Sequence, residues 1–350
     1  MLKVCIIGCG GIGTYHLGHL VEYGDLITLD GFCDLIPEKA EGFAAKTGSG
    51  KAFTDYRVML DEIVPDAVFV CVPPNCHGAI EDDLIRRRIP FFVEKPLSVD
   101  LAQAREIGRR VEEAGLITAV GFQCRYDMLA APVRAFVRNN EVIYINCTRF
   151  GGVPDMPWWR VKSMSGGQLA EQTIHQLDYI RYAYGEPETV FSMAARGYIK
   201  EFENYDTDDV SVTVVRFRSG ALATIATGCY ALSGEAFDSK TTYSTREKRL
   251  DMYLLDRADI YGEAPGGETS AVGDLVVKGD GSLSAANGGA ISVKHTGDPG
   301  LLCDRTFLEA VVSGDGSKIR SPYADALKTL EFAMACNKSM DTGLPVRVGE

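Results

Sequence analysis

Residues 166–182 read GGQLAEQTIHQLDYIRY and carry Glu171, His175, Asp178 and Tyr182 at spacings of four, three and four. At about 100° per residue, offsets of four, seven and eleven return to within roughly 40° of the start, so the spacing predicts one helix with these four side chains along one face. Ala170, Ile174 and Leu177 form the neighbouring apolar face. An imidazole flanked by carboxylates can take and give protons near neutral pH. The same spacing also describes an amphipathic helix whose polar side meets water. The choice between the two rests on what the rest of the chain brings to that face.

Two other stretches carry residue types suited to chemistry. VCIIGCGGIGTYH places Gly8, Gly10 and Gly13 in G-x-G-x-x-G spacing between an apolar strand and a helical run, and Asp34 follows 21 residues beyond Gly13 at the end of the next apolar run. Such a loop needs a tight turn at Gly8, close approach of backbone to a pyrophosphate at Gly10 and helix packing at Gly13; the helix start through Gly11 and Ile12 supplies amide donors. Asp34 is placed to accept hydrogen bonds from an adenosine ribose diol, and the carboxylate would repel a 2′-phosphate. No Arg follows in DLIPEK, so NAD is expected over NADP. Further along, VFVCVPPNCHGAI sets Pro73, Pro74, Asn75 and His77 after one strand, and PFFVEKPLS sets Glu94, Lys95 and Pro96 after the next. Ligands gather at the carboxyl ends of strands in open α/β sheets. The two prolines lack amide donors and suit a stiff wall against a nicotinamide ribose. Lys95 is a lone cation at the centre of such a sheet, with little structural reason to stand there.

The elements that must hold these residues follow from patterning. Up to about residue 121, short apolar runs at 2–7, 27–33, 67–72, 90–93 and 117–120 alternate with helical stretches, the clearest at 77–88 and 99–115. Ser98 or Asp100 is able to cap the latter and Gly115 to end it. This predicts a doubly wound parallel sheet, a Rossmann domain over residues 1–122. From 123 to 350 the character changes to a second α/β domain: a helix over 128–139, then EVIYINCTRF, TVFSMAARGYI, DVSVTVVRF and GALATIATGCYAL, spaced as a large, mostly antiparallel sheet. In ALATIATGC both alternating faces are small and apolar or Thr, which fits helices on one side and a second subunit on the other. The Gly-rich and Ser-rich stretch 262–300 reads as loops with a hairpin around DLVVKG, and a final helix is expected over 323–340.

Composition narrows the partners. With 350 residues and about 150 per domain, two domains with real cores are expected. The 36 Lys and Arg against 48 Asp and Glu give a net charge of −12 with no basic block, so nucleic acid and anionic membranes are not expected. No apolar run approaches the roughly 18 residues of a membrane span, and the amino terminus lacks a signal-peptide pattern. Ten cysteines lie mostly in apolar runs without a CxxC pair, as buried hydrophobes of a reducing, cytoplasmic protein. A metal held by His175 and Asp178 would lack a second imidazole, and no metal is expected.

GCGGIG, VPPNCHGAI, EKPLS, AVGFQCRYD and GGQLAEQTIHQLDYIRYAYG, in this order over about residues 3–185, resemble the glucose-fructose oxidoreductase, inositol dehydrogenase and MocA family of NAD(P)-dependent oxidoreductases. The resemblance implies a Rossmann domain, a large antiparallel sheet and catalysis in the cleft between them. It matches the family's lysine to Lys95, which would touch the nicotinamide ribose and the reacting hydroxyl, and its general base to His175. The family's acid four residues earlier is usually Asp. Here it is Glu171, longer by one methylene, which would orient His175, contact substrate or do neither. Asp178 matches the family's Asp three residues after the histidine.

On that reading the chain oxidises a secondary alcohol of a sugar, cyclitol or related polyol. His175 takes the hydroxyl proton, with a pKa expected near about 6.5, and Lys95 stabilises the developing charge on oxygen. Trp158, Trp159, Arg160 and Lys162, just before that helix, and Arg125 and Tyr126, after the last Rossmann strand, are candidate substrate contacts; the two tryptophans would serve equally as a plug between domains. A homodimer or homotetramer is expected. Two alternatives share the scaffold: a redox-neutral lyase or glycosidase-type enzyme that retains its NAD, and a non-catalytic NAD-sensing regulator.

Overall fold

Apolar runs flanked by glycine turns form the first sheet. Strands β1 (Leu2–Ile7), β2 (Ile27–Cys33), β3 (Lys51–Phe53), β4 (Ala67–Val70), β5 (Phe91–Val93) and β6 (Thr118–Val120) lie in the order β3-β2-β1-β4-β5-β6, every pair parallel. The computed structural model describes residues 1–262, 275–277, 283–285 and 290–350. The crossovers are helices α1 (Gly11–Leu20), α2 (Pro37–Thr47), α3 (Tyr56–Ile63), α4 (Ala79–Arg87) and α5 (Leu101–Ala114). Helix α5 shows how local chemistry sets an end. Asp100 accepts from the amides of Ala102 and Gln103, while Ser98 sits one step outside, accepting from the Asp100 amide. Gly115 closes the helix with φ 58°.

A parallel sheet is apolar on both faces and needs both covered. On one face Met59, Leu60, Leu84 and Ile107 from α3, α4 and α5 pack on Cys5, Ile7, Val68, Val70 and Val93. The other face, carrying Val4, Ile6, Phe69 and Phe92, is covered by α1 and α2 and by a helix from the far end of the chain, α10 (Pro299–Ser313), through Cys303, Phe307 and Leu308. Patterning places loops up to residue 300 and its next helix only at 323, so α10 is a helix that it does not predict.

Between these lie α6 (Ala130–Asn139), β7 (Tyr144–Phe150), the short helices α7 (Lys162–Ser165) and α8 (Gln168–Glu171), then α9 (Ile174–Ala183), β8 (Pro187–Ala195), β9 (Val210–Phe217) and β10 (Leu222–Gly228). Next come β11 (Asp238–Ser244), β12 (Arg249–Tyr253), β13 (Arg257–Tyr261), the pair β14 (Leu275–Val277) and β15 (Leu283–Ala285), and β16 (Ile291–Lys294). The chain ends with α11 (Tyr323–Thr342) and β17 (Val346–Arg347). The second sheet runs β16-β13-β12-β11-β7-β10-β9-β8-β17, antiparallel except where β10 pairs with β7. Strands β11 to β13 escape an apolar-pattern search because only alternate residues, such as Tyr243, Leu250, Met252 and Ala258, face the core. The hairpin expected around DLVVKG corresponds to the antiparallel β14–β15 pair; the rest of 263–289 lies outside the described residues.

Helices α6, α9 and α11 cover one face of this sheet through Val133, Phe136, Leu177, Ile180, Phe332 and Cys336. The opposite face keeps Phe191, Met193, Val212, Val214 and Leu222 exposed. Among the described residues, no helix is long and apolar enough to cross a membrane.

Candidate active site

The strand order turns between β1 and β4, so the crevice beyond their carboxyl ends is the natural ligand position. The glycine loop there fits a dinucleotide. Gly8 has φ 96°, and a Cβ on it would lie 2.2 Å from the Cys71 carbonyl oxygen; one on Gly13 would lie 2.1 Å from the Gly8 carbonyl oxygen. Those two glycines are needed for the turn and for helix packing. Gly10 and Gly11 have nothing within 4 Å of a Cβ position, and Ile12 is 36 % exposed, so the first turn of α1 faces open space with unspent amides. Asp34 accepts from the amides of Cys9 and Ile36, both at 2.9 Å, which fixes its carboxylate at the end of β2 with lone pairs to spare for a diol.

Beyond β4, Pro73 is half-buried and Asn75 exposed at the crevice. His77 is buried with Nδ1 2.7 Å from Glu81, and its Nε2 has no hydrogen-bond partner. Beyond β5, Glu94 and Lys95 point in different directions. Glu94 turns under the glycine helix, where it accepts from His16 at 3.0 Å and from the Lys95 amide. A Cβ on Gly121 would fall 2.0 Å from its carboxylate. His16 also meets Asp304 on α10, and His19 bridges Asp304 and Asp298. Burial opposes protonation of His16, but the Asp304 and Glu94 carboxylates outweigh it and raise its pKa to about 10. Glu94 was expected beside the cofactor; the structure makes it instead the buried anchor of the loop that carries Lys95.

Lys95 extends toward the second domain and donates from Nζ to Glu171 Oε1 at 3.0 Å and to the Glu171 carbonyl at 3.1 Å. Glu171 also receives Trp159 Nε1 at 2.7 Å and the Gln172 side chain. Burial pushes the Glu171 carboxyl up, but Lys95, Gln172 and Trp159 together hold it below its usual range. Trp159 is wholly buried. It therefore acts as a wall and a donor to Glu171, not as an open platform for a sugar.

The stretch 166–182 is two helices, which corrects the single face expected from spacing. Helix α8 ends at Glu171, and the Thr173 amide reaches back five residues to the Gln168 carbonyl before α9 starts at Ile174. The break has long-range anchors. The Gln168 amide donates to Thr207, its side chain bonds Ser211 and Thr227, and Thr173 meets Thr227 through their hydroxyls. After the break, Asp178 and Tyr182 face away from the cleft. Asp178 takes a two-pronged bond from Arg125 at 2.7 and 2.5 Å and a third from Thr329. Arg125 also holds Asp325 and the Arg320 carbonyl, and Tyr182 lies under the Arg125 and Arg134 guanidiniums.

Arg125 and Asp178, expected to touch substrate, are thus consumed in a buried lock between α9 and α11. Tyr126 is likewise buried, its hydroxyl accepting from the Arg320 amide. Arg160 lies over the Phe202 ring at 3.9 Å, Lys162 pairs with Asp341 and Asp208, and Trp158 is half-buried.

His175 remains at the cleft, its ring edge-on to Phe122 at 6.2 Å and its Nδ1 buried without a partner. Burial, then the charges of Lys95 and Arg149, hold its pKa well below 6.5, lower than expected from the sequence. Arg149 was missed. Its guanidinium donates to Gln172 at 2.6 Å and to Cys229 Sγ at 3.1 Å. A signal was present, since a charge at 149 continues the alternation of Ile145 and Cys147, the inward face of YINCTRF.

With this geometry in view, comparison with known proteins defines the class. Residues 2–122 match the oxidoreductase family with an NAD-binding Rossmann fold, GFO/IDH/MocA, and 140–263 match that family's C-terminal domain. Myo-inositol 2-dehydrogenase of Thermotoga maritima is 30 % identical over 249 residues, covering 68 % of this chain and 73 % of the relative. The NAD-dependent scyllo-inositol 2-dehydrogenase of Bacillus subtilis is 29 % identical over 225 residues, 63 % of this chain and 65 % of that one. A levoglucosan dehydrogenase solved with NADH superposes with a TM-score of 0.82 at 18 % identity, covering 100 % and 99 % of the two chains, a likeness of fold. The chain belongs to the GFO/IDH/MocA family of NAD-binding oxidoreductases.

Proposed function

We propose that this protein is an NAD-dependent dehydrogenase that interconverts a secondary alcohol of a polyol, cyclitol or sugar with the ketone. The observation that carries the reading is the convergence of Lys95, Glu171 and His175 at the crevice that the glycine loop opens: a cation, the carboxylate that holds it, and a neutral imidazole with an unspent nitrogen. Inositol dehydrogenases among the relatives support the substrate class.

Bound NAD would supply the hydride acceptor for the carbinol carbon, and NADH the donor in reverse. His175, uncharged at neutral pH, takes the hydroxyl proton. Lys95 donates to the same oxygen and stabilises negative charge as the proton leaves. Glu171 fixes the Lys95 ammonium through two bonds and is itself fixed by Trp159, so the cation is positioned before substrate arrives. Gly8, Gly10, Gly11, Ile12 and Gly13 cradle the pyrophosphate, Asp34 reads the adenosine ribose, and Pro73, Asn75 and His77 border the nicotinamide side.

The exposed face of the second sheet supports reading the protein as a homo-oligomer. Phe191 pairs with Val214, Met193 with Val212, and Leu222 with Tyr144 in register, so these side chains form one apolar patch that a second copy would cover by two-fold symmetry. Ten free thiols, nine of them buried, suit the reducing cytoplasm.

The test is purified protein with NAD against inositols, aldoses and sugar acids, following NADH by absorbance. NADH is expected with one stereochemical class. Bound NAD with no NADH from any compound contradicts the reading.

A further inference from the structure

We infer that Arg149 is the docking point for an anionic group on the substrate, so that the alcohol oxidised belongs to a sugar or cyclitol bearing a carboxylate or phosphate. The inference rests on the hydride-transfer reading of the Lys95–His175 site and narrows its substrate.

Strand β7 points Ile145 and Cys147, both fully buried, toward the helices, and Arg149 follows on that face where the strand runs out toward the cleft. Its register neighbours are Thr227 on β10 and Ser239 on β11, which offer hydroxyls and no charge. The guanidinium spends two donations, on the neutral Gln172 amide and the Cys229 thiol, and among the described residues no carboxylate pairs with it. Inward-facing guanidiniums nearby are treated differently: Arg125 holds Asp178 and Asp325, and Arg181 holds Glu186 and Asp325. Arg149 is half-buried where those two are buried, and a cation even partly withdrawn from water is commonly paired. The adjacent carboxylate, Glu171, is already committed to Lys95, Trp159 and Gln172.

The backbone and the field at this position agree with an anion there. A Cβ on Gly151 would stand 3.0 Å from Arg149 Nη1, so the guanidinium lies against bare backbone, where a side chain at 151 would displace it. The charge reaches His175, whose affinity for a proton it lowers. An anionic group on the planar fork would form parallel charge-assisted bonds and orient the ring over Lys95. It would also cancel part of the charge that weakens His175 as a base.

The test uses the whole 350-residue chain loaded with NAD. Calorimetric binding of D-glucuronate, D-gluconate and D-glucose 6-phosphate is compared with D-glucose and myo-inositol, in the wild type, Arg149→Met and Arg149→Lys, with NADH formation followed in parallel. At least one anionic compound is expected to bind roughly 30-fold more tightly than its neutral counterpart, the size of a charge-assisted bond. The glucuronate and phosphate arms tell the two anions apart. That ratio should vanish in Arg149→Met and fall about tenfold in Arg149→Lys, which keeps the charge and loses the fork. Equal or tighter binding of the neutral compounds, or a ratio that neither variant changes, overturns the inference. Should Arg149→Met not fold, the ratio in Arg149→Lys decides alone. Anion binding through Arg149 without NADH from any compound would leave this site standing and remove the hydride-transfer reading; NADH from neutral polyols alone would do the reverse.

Discussion

At the scale of single residues, the centre of the account is the contrast between Lys95 and His175. Both are half-buried, but Lys95 has Glu171 as a counter-charge and His175 has none; two cations act on it instead. An imidazole so placed stays neutral far into the acid range. Because oxidation needs the unprotonated ring, kcat/KM for the alcohol should stay level as pH falls through 6.5 and drop only well below it. A pH profile with full substrate titrations checks this, and an acid limb in kcat/KM centred near 6.5 would contradict it. Glu171 is the residue where a family habit and this chain diverge, and the structure gives the extra methylene a use. One carboxylate spans from Lys95 on the first domain to Trp159 on the second.

At the scale of elements, the lock between α9 and α11 is the feature that spacing misread. Arg125, Asp178, Asp325 and Thr329 are buried or half-buried and mutually bonded. Arg125→Met leaves Asp178 as an unpaired buried charge and should cost about 3–5 kcal/mol, seen as a lower urea midpoint at unchanged slope. A loss confined to KM, with stability intact, would return Arg125 to the substrate. What was legible in the sequence follows the same division. Strands β1 and β2 and the ends of α5 are written in contiguous runs and local caps, so their boundaries could be read directly. The helix break after Glu171 could not, because it depends on Thr207, Ser211 and Thr227, placed there by another sheet. Arg125 and Asp178 stand 53 positions apart, and nothing in either local pattern announces the other. Glu94 looked like a cofactor contact for the same reason: its partner His16 precedes it by 78 residues.

At the scale of the whole molecule, two histidines set opposite slopes on stability. His16 has a raised pKa, so its contribution is complete below pH 6.5 and is lost as pH climbs through about 10. His175 has a lowered pKa, so its contribution is present above pH 6.5 and is lost as pH falls. The unfolding free energy should therefore fall on both sides of neutrality, and replacing His16 by Gln should flatten the alkaline side. Unchanged slopes between pH 7 and 10 would mean that His16 is neutral in the fold. The apolar sheet face makes a separate claim. If this face pairs two copies as proposed, Val214→Arg, at an exposed position, should leave only monomers by light scattering with the fold retained, whereas a mass equal to that of the wild type would contradict this interface.

The measurement that bears most directly on the account is His175→Ala, with turnover and NAD affinity determined on the same preparation. Removing the proton acceptor should lower kcat by about 10²–10⁴ while the NAD dissociation constant, set by the glycine loop and Asp34, stays within a few-fold. Turnover near the wild-type level would contradict the proposed base, and loss of NAD binding with the turnover would show that α9 supports the fold rather than the chemistry.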